Sequence, residues 1–134
     1  MVKYKKKLDA DIRCPLEYGL TIFGGKSGEY PQKLYKALMN SQTVLTVWDD
    51  ARLVGLIRVL DDSEMLAQIH YVLVHPEYQG QGIAGRMVEY IKEKYKNFMY
   101  LELMPEDKNN VPFYEKHGFH VMENGAAMQI CNIN

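Results

Sequence analysis

The sequence predicts an α+β fold in which helices flank a central mixed, mostly antiparallel sheet. Three observations support this prediction. Three segments rich in β-branched and apolar residues follow one another between residues 43 and 74, separated by short polar turns, which is typical of an antiparallel meander. Apolar residues recur at helical spacing on both sides of that meander. A glycine-rich stretch then joins the last strand to the second helix. We expect about six to seven strands and about three to four helices.

The first thirty residues carry the weakest signals. Residues 2–8 can form a short strand, whereas four glycines between residues 19 and 28 favour a loop that can include a short helix. A helix is predicted from Pro31, because proline suits the first position of a helix. Its apolar face would be formed by Leu34, Tyr35, Leu38 and Met39.

The meander consists of predicted strands at residues 43–48, 53–60 and 65–74, with turns at residues 49–52 and 61–63. Beyond the glycine-rich stretch, a helix is predicted from Ile83 to about residue 96. Residues 98–104 are continuously apolar around Glu102, which predicts a buried central strand.

The last third of the chain predicts one more helix and a hairpin. The helix covers about residues 110–117, and Gly118 suits the position after a helix end. The dipeptide Asn124-Gly125 is a strong hairpin turn signal between predicted strands at residues 119–122 and 126–131.

Composition predicts one globular domain over residues 1–134. The chain is 47% hydrophobic and 25% charged with a net charge of -1, so nothing calls for a nucleic-acid partner. No apolar run approaches the length of a membrane span, and no signal peptide is evident. Cys14 and Cys131 lack metal-ligand spacing. We expect a cytoplasmic protein with free thiols, no bound metal and no membrane partner.

The glycine-rich stretch fits two phosphate-binding patterns. Residues 80–85 match G-x-G-x-x-G, the dinucleotide fingerprint, with Glu102 about 20 residues further on. The context disfavours this interpretation, because the preceding strand belongs to an antiparallel meander and too few elements follow for a doubly wound sheet. A simpler interpretation is a tight turn between strand and helix without a ligand.

The second pattern begins one residue earlier, at Gln79. Residues 79–84, Gln-Gly-Gln-Gly-Ile-Ala, fit (Gln/Arg)-x-x-Gly-x-(Gly/Ala) and follow Val74-His75-Pro76. Phe113-Tyr114-Glu115-Lys116-His117-Gly118-Phe119 lies downstream. Together with the element order, these motifs resemble the GNAT superfamily of acetyl-CoA-dependent N-acetyltransferases. The resemblance is clear over residues 43–131.

The resemblance implies an acyltransferase that transfers an acetyl group from acetyl-CoA to a primary amine directly, in a ternary complex. Bare N–H groups at a helix start can bind the pyrophosphate of coenzyme A, and glycines let it approach closely. Pantetheine can pair with a strand edge as a peptide would. The residues implied in acetyl-CoA binding are Leu73, Val74, Gln79, Gly80, Gln81, Gly82, Ile83, Ala84 and Tyr114.

The same resemblance suggests catalytic residues. Tyr114 matches a tyrosine near the thioester sulfur and would be the acid, while the N–H of Val74 would polarise the thioester carbonyl. Some relatives have a glutamate base six residues before that valine, but this chain has Gln68 there. His70 matches a histidine of arylalkylamine-acetylating relatives and is the candidate base, alongside ordered water. Asp107 replaces an asparagine that contacts pantetheine, which puts that contact in doubt.

The acceptor is not predicted by the sequence. Tyr18, Phe23, Tyr30 and Tyr35 can shape a pocket or simply pack. His75 and His117 are expected to be structural. A small amine, an amino acid, a polyamine, an aminoglycoside and a protein amine all stay open, and a homodimer is common among relatives. A second hypothesis is a GNAT-fold module that binds acyl-CoA as a sensor or partner without turnover.

Overall fold

The computed structural model of the protein describes residues 1–13 and 29–133, and its strands form one sheet. The sheet order is β1-β2-β3-β4-β5. Strands β1 to β4 are antiparallel neighbours, and β5 runs parallel to β4. This confirms the α+β fold with a mixed sheet, although the described residues form five strands rather than six or seven. The strands are β1 (Lys3–Lys5), β2 (Thr43–Asp49), β3 (Arg52–Asp61), β4 (Leu66–Val74) and β5 (Tyr100–Leu103).

Three α-helices of the described residues flank the sheet: α1 (Pro31–Met39), α2 (Ile83–Lys94) and α3 (Val111–Lys116). Helix α1 buries Leu34 and Leu38 in a core on one face of the sheet, called the α1 face. Helix α2 packs its apolar stripe on the opposite face, called the α2 face, through Ile83, Met87, Val88 and Ile91. No helix in the described ranges is both long and apolar enough to cross a bilayer.

A β-bulge in β4 decides which side chains reach each face. Arg58 of β3 pairs with Tyr71, but the next residue, Val59, pairs with Ile69, so His70 is an extra residue in β4. Ile69 lies in the core of the α2 face, and Val72 and Val74, after the bulge, are partly buried and pack against the same core. From sequence, regular alternation along β4 predicts that these two valines share a face with Gln68 and His70. The bulge shifts the alternation, so the two pairs lie on opposite faces and that expectation is wrong.

Strand β5 lies at the edge of the described sheet. Its pairing with β4 runs from Leu66 with Tyr100 to Ile69 with Leu103, and no described strand pairs with its outer side. Tyr100 is 50% exposed. The prediction of a buried central strand here is therefore wrong for the described residues, since continuous apolar sequence does not specify which neighbours a strand acquires.

The predicted C-terminal hairpin does not form in this structure. Residues 119–133 contain no strand and residues 120–133 are all exposed. The turn is present, because the Gly125 N–H donates to the Met122 carbonyl at 3.1 Å. Asn124-Gly125 specifies the local turn, whereas a strand also needs a partner edge. In the predicted loop of residues 10–30, Ala10–Ile12 form a 3₁₀ turn, and residues 14–28 lie outside the described residues.

Candidate functional site

Strands β4 and β5 part beyond Ile69 and Leu103, so that no described strand pairs with residues 72–74 of β4 on that side. The His75 N–H donates to the Val54 carbonyl of β3 at 2.8 Å. Because peptide groups alternate along a strand, the peptide groups of Val72 and Val74 point away from β3, into the gap. We call this gap the β4–β5 opening. At this edge the N–H groups of Val72 and Val74 and the Val72 carbonyl have no described partner, whereas the Val74 carbonyl accepts from Gln79.

The glycine loop, residues 79–84, follows directly and leads into α2. Gly80 and Gly82 adopt the left-handed conformation with φ of 80° and 81°, which glycine tolerates and other residues rarely adopt. A Cβ atom built on either glycine would have no neighbouring atom within 4 Å. In the described structure, no acceptor takes the N–H groups of residues 80–85. Free N–H groups at a helix start favour an anion.

Side chains fix the glycine loop from outside. The Gln79 amide donates to the Val74 carbonyl at 3.2 Å and so ties the loop to the end of β4. His75 Nδ1 accepts the Glu77 N–H at 3.1 Å, and Arg52 of β3 pairs with Glu77. The Tyr78 hydroxyl donates to Asp49. These contacts hold the loop while its N–H groups stay free.

The loop and the opening together fit coenzyme A. A pyrophosphate would meet the bare N–H groups, and the space beside Gly80 and Gly82 is what close phosphate approach requires. The amide groups of pantetheine match the exposed peptide groups of Val72 and Val74. All the residues predicted to bind the donor, apart from Tyr114, lie in this continuous stretch from the end of β4 to the start of α2, although Ile83 is buried in the core and the peptide groups of Leu73 face β3.

Tyr114 lies on the α2 face, like Val72 and Val74. Its ring packs against the core of that face and makes edge contacts with Phe113 and Phe119. Within residues 1–13 and 29–133, no group hydrogen-bonds its hydroxyl. Burial raises the pKa of Tyr114 above its ordinary value of 10.0, so the phenol keeps its proton at neutral pH. Tyr114 is thus a half-buried proton donor that has no hydrogen-bond partner among these residues.

His70 lies on the opposite, α1 face and contacts Arg58. Arg58 Nη1 lies 2.7 Å from His70 Nδ1. A guanidinium can only donate, so Nδ1 accepts and the ring proton is on Nε2. Burial, and then the charge of Arg58, lowers the pKa of His70 below 6.5. The ring is therefore neutral at pH 7 with its lone pair occupied. Its role as base stays a prediction and would require release from Arg58.

Glu102 is an acidic side chain that the sequence did not assign to catalysis. It pairs in register with Gln68, and its neighbours Leu101 and Leu103 pack on the α2 face. Glu102 must then lie on the α1 face beside Gln68, because side chains alternate along a strand. A carboxylate thus lies one strand away from the position where this chain has glutamine. The signal in the sequence that could have identified Glu102 is a charged residue between apolar neighbours in a predicted strand.

The remaining polar candidates have structural contacts. His117 Nδ1 lies 2.6 Å from the Glu89 carboxylate, linking α3 to α2. Asp107 accepts the Asn109 N–H at 2.9 Å as a local cap. No three His, Cys, Asp or Glu side chains of the described ranges cluster as metal ligands would. Cys131 is free and exposed, whereas Cys14, Tyr18 and Phe23 lie outside the described residues.

Comparison with known proteins gives a consistent result. The model of the acetyltransferase (GNAT) family matches residues 16–119. An uncharacterized N-acetyltransferase from Bacillus methanolicus is 28% identical over 117 residues, which cover 87% of this chain and 92% of that protein. A probable acetyltransferase from meticillin-resistant Staphylococcus aureus has a TM-score of 0.79 at 27% identity, covering 98% and 99% of the two chains. A GNAT family protein from Streptococcus pneumoniae shares the fold, with a TM-score of 0.77 at 24% identity, 100% coverage of this chain and 98% of that one.

Proposed function

The chain belongs to the acetyltransferase (GNAT) family, and on this premise we propose that it transfers an acetyl group from acetyl-CoA to a primary amine. Transfer would be direct, in a ternary complex. One observation carries the proposal: the free N–H groups of the glycine loop adjoin the β4–β5 opening. An anion site next to an unpaired strand edge suits a ligand with a pyrophosphate and an amide-bearing arm.

Donor binding would rest on the stretch from Val72 to Ala84. The N–H groups of residues 80–84 would bind the pyrophosphate, and the peptide groups of Val72 would pair with pantetheine amides, which leaves the Val74 N–H for the acetyl end. Gln79 would act by holding the loop against Val74, since its amide is already bonded to that carbonyl. Acetyl-CoA supplies an activated thioester to this site.

The chain's own groups would then assist acyl transfer. The Val74 N–H points into the opening and would donate to the thioester carbonyl. The Tyr114 hydroxyl, protonated and without a partner, would donate a proton to the leaving sulfur. The proton of the incoming amine would pass to His70, to the Glu102 carboxylate or to ordered water. The acid and the base candidates lie on opposite faces of the sheet, so both can approach a thioester held in the opening.

The alternative is a module that binds acyl-CoA without turnover. Gln68 favours it, because glutamine occupies the position where some relatives have a glutamate base. Tyr114 argues against it, since a binding module has no need of an unpartnered proton donor near the donor site.

Thiol release measured over a panel of amines tests the proposal. The panel should contain amino acids, amino sugars, polyamines, aminoglycosides and lysine peptides, each with acetyl-CoA. We expect coenzyme A to appear faster with at least one amine than without any. Saturable binding of acetyl-CoA with no amine-dependent release would identify the non-catalytic module instead. An absence of donor binding would refute both hypotheses.

A further inference from the structure

Arg58 lies in the middle of β3 and is held by neutral groups. Its Nε donates to Ser41 Oγ at 2.8 Å and its Nη1 donates to His70 Nδ1 at 2.7 Å. The guanidinium carbon lies 5.7 Å from the centre of the Tyr71 ring. Ser41 in turn donates to the Ala37 carbonyl of α1 at 2.7 Å. The side chain is thus fixed between sheet and helix.

The charge of Arg58 is not balanced by any carboxylate of the described part of the chain. None lies within ion-pair distance of the guanidinium, and its Nη2 has no described acceptor. By contrast, Arg52 of the same strand pairs with Glu77. A half-buried guanidinium held in fixed geometry, with one nitrogen uncommitted, is suited to bind a carboxylate or phosphate. A ligand anion would also offset the cost of burying the charge.

The position of Arg58 relates this charge to the acceptor. Arg58 pairs with Tyr71 at the β4 bulge, just before the part of β4 that borders the opening. Glu102 lies on the same face. The negative charge of Glu106 raises the pKa of His70, which partly opposes the lowering by burial and by Arg58. The α1 face therefore combines one fixed positive group with the Glu102 carboxylate, which attracts an ammonium. A molecule with an amine and an acid at its two ends matches that arrangement.

We propose that the acceptor carries an acidic group, a carboxylate or a phosphate, which Arg58 binds while the amine faces the β4–β5 opening. This inference rests on the proposed acetyltransferase function. Ser41 and His70 are positioning residues for Arg58 in this account.

Matched pairs of amines test the inference. Glycine and L-phenylalanine are compared with their amides, and glucosamine 6-phosphate with glucosamine, which separates a carboxylate from a phosphate source. For at least one pair we expect kcat/KM to favour the acidic member. Arg58→Gln should reduce that preference about tenfold or more, because it removes a charge-assisted pair. Arg58→Lys should recover only part of it, since lysine keeps the charge without the fork.

Lys94→Gln is the control, because it removes an exposed positive charge at the end of α2, which packs on the opposite face of the sheet from Arg58. It should leave the preference for the acidic member unchanged. Calorimetric titration with acetyl-CoA shows whether each variant is folded and binds the donor. If no amine is acetylated, the comparison of rates is replaced by a comparison of affinities, in which N-acetylglycine and its amide are titrated into the complex of the protein with coenzyme A.

Two failures are distinguishable in this design. Equal kcat/KM for acidic and neutral members, or equal or absent binding of both product probes, would overturn the inference while donor binding stands. If the wild-type protein did not bind acetyl-CoA, the proposed function itself would be refuted. A preference that survives Arg58→Gln would also exclude Arg58 as the anchor.

Discussion

Replacing Gly82 with alanine separates the conformational role of the glycine loop from its binding role. Gly82 has φ of 81° and no protein atom within 4 Å of a Cβ built there. A new methyl group would meet no protein atom, so the cost to the unliganded protein is that of the left-handed backbone. That cost is about 1–2 kcal/mol, which corresponds to a fall in Tm of about 4–8 °C for a chain of this size.

The same methyl group would occupy the space that we assign to the pyrophosphate. Losing one charge-assisted hydrogen bond costs about 1.5–3 kcal/mol, so the Kd for acetyl-CoA should rise about tenfold to a hundredfold. Thermal unfolding without ligand measures the first effect, and calorimetric titration with acetyl-CoA measures the second.

Gly118→Ala is the matched control. Gly118 has φ of 94° and lies beyond α3, where a Cβ would approach Lys92 Nζ at 3.6 Å. It should lower Tm by a similar amount and leave the Kd for acetyl-CoA unchanged. If Gly82→Ala lost stability but bound acetyl-CoA as tightly as wild type, the assignment of this loop to the pyrophosphate would be wrong.

Three further predictions follow from single side chains. Tyr114→Phe should lower kcat on the order of a hundredfold with the Kd for acetyl-CoA nearly unchanged, and full kcat would exclude Tyr114 as the acid. Tyr95→Phe should cost about 1–3 kcal/mol of unfolding free energy, because its buried hydroxyl joins Thr43 and Asp61 at 2.6 Å each. Burial, and then the hydrogen bond to Asp61, raises the pKa of Tyr95 from 10.0 to about 12. The wild-type protein should therefore lose the stability that the Tyr95 hydroxyl contributes as pH rises from 10 through 12. A Tyr95→Phe variant with the same pH dependence would contradict this role of the hydroxyl. Asp62→Ala should lower Tm at pH 7, because three backbone N–H groups hold the pKa of Asp62 below 3.8. The difference in Tm between wild type and variant should persist down to about pH 3.8 and disappear as pH falls through the folded-state pKa. A difference in Tm that does not change with pH would refute this prediction.

Local signals predicted most of the elements, because the residues that specify them are adjacent in sequence. Pro31 at the first turn and apolar residues at helical spacing gave α1, and the glycines before Ile83 gave the start of α2. Turn residues between apolar segments gave β2, β3 and β4 within a few residues of their bounds. The glycine loop was predicted from Gln79 onward for the same reason.

Features that depend on pairing could not be predicted. The bulge at His70 reverses the faces of Val72 and Val74, and it arises from the register between β3 and β4. The edge position of β5 and the absence of the C-terminal hairpin likewise depend on which strand edges meet. Arg58 and His70 are twelve residues apart on different strands, so their contact, which occupies the lone pair of the predicted base, has no signature in the sequence.

Calorimetric titration of the wild-type protein with acetyl-CoA tests the central claim most directly. We expect saturable binding of one acetyl-CoA per chain, with competition by coenzyme A and much weaker binding of pantetheine, which lacks the pyrophosphate. No measurable binding at about 1 mM, the upper end of typical KM values, would contradict it. Equal affinity for pantetheine and coenzyme A would contradict the assignment of the glycine loop.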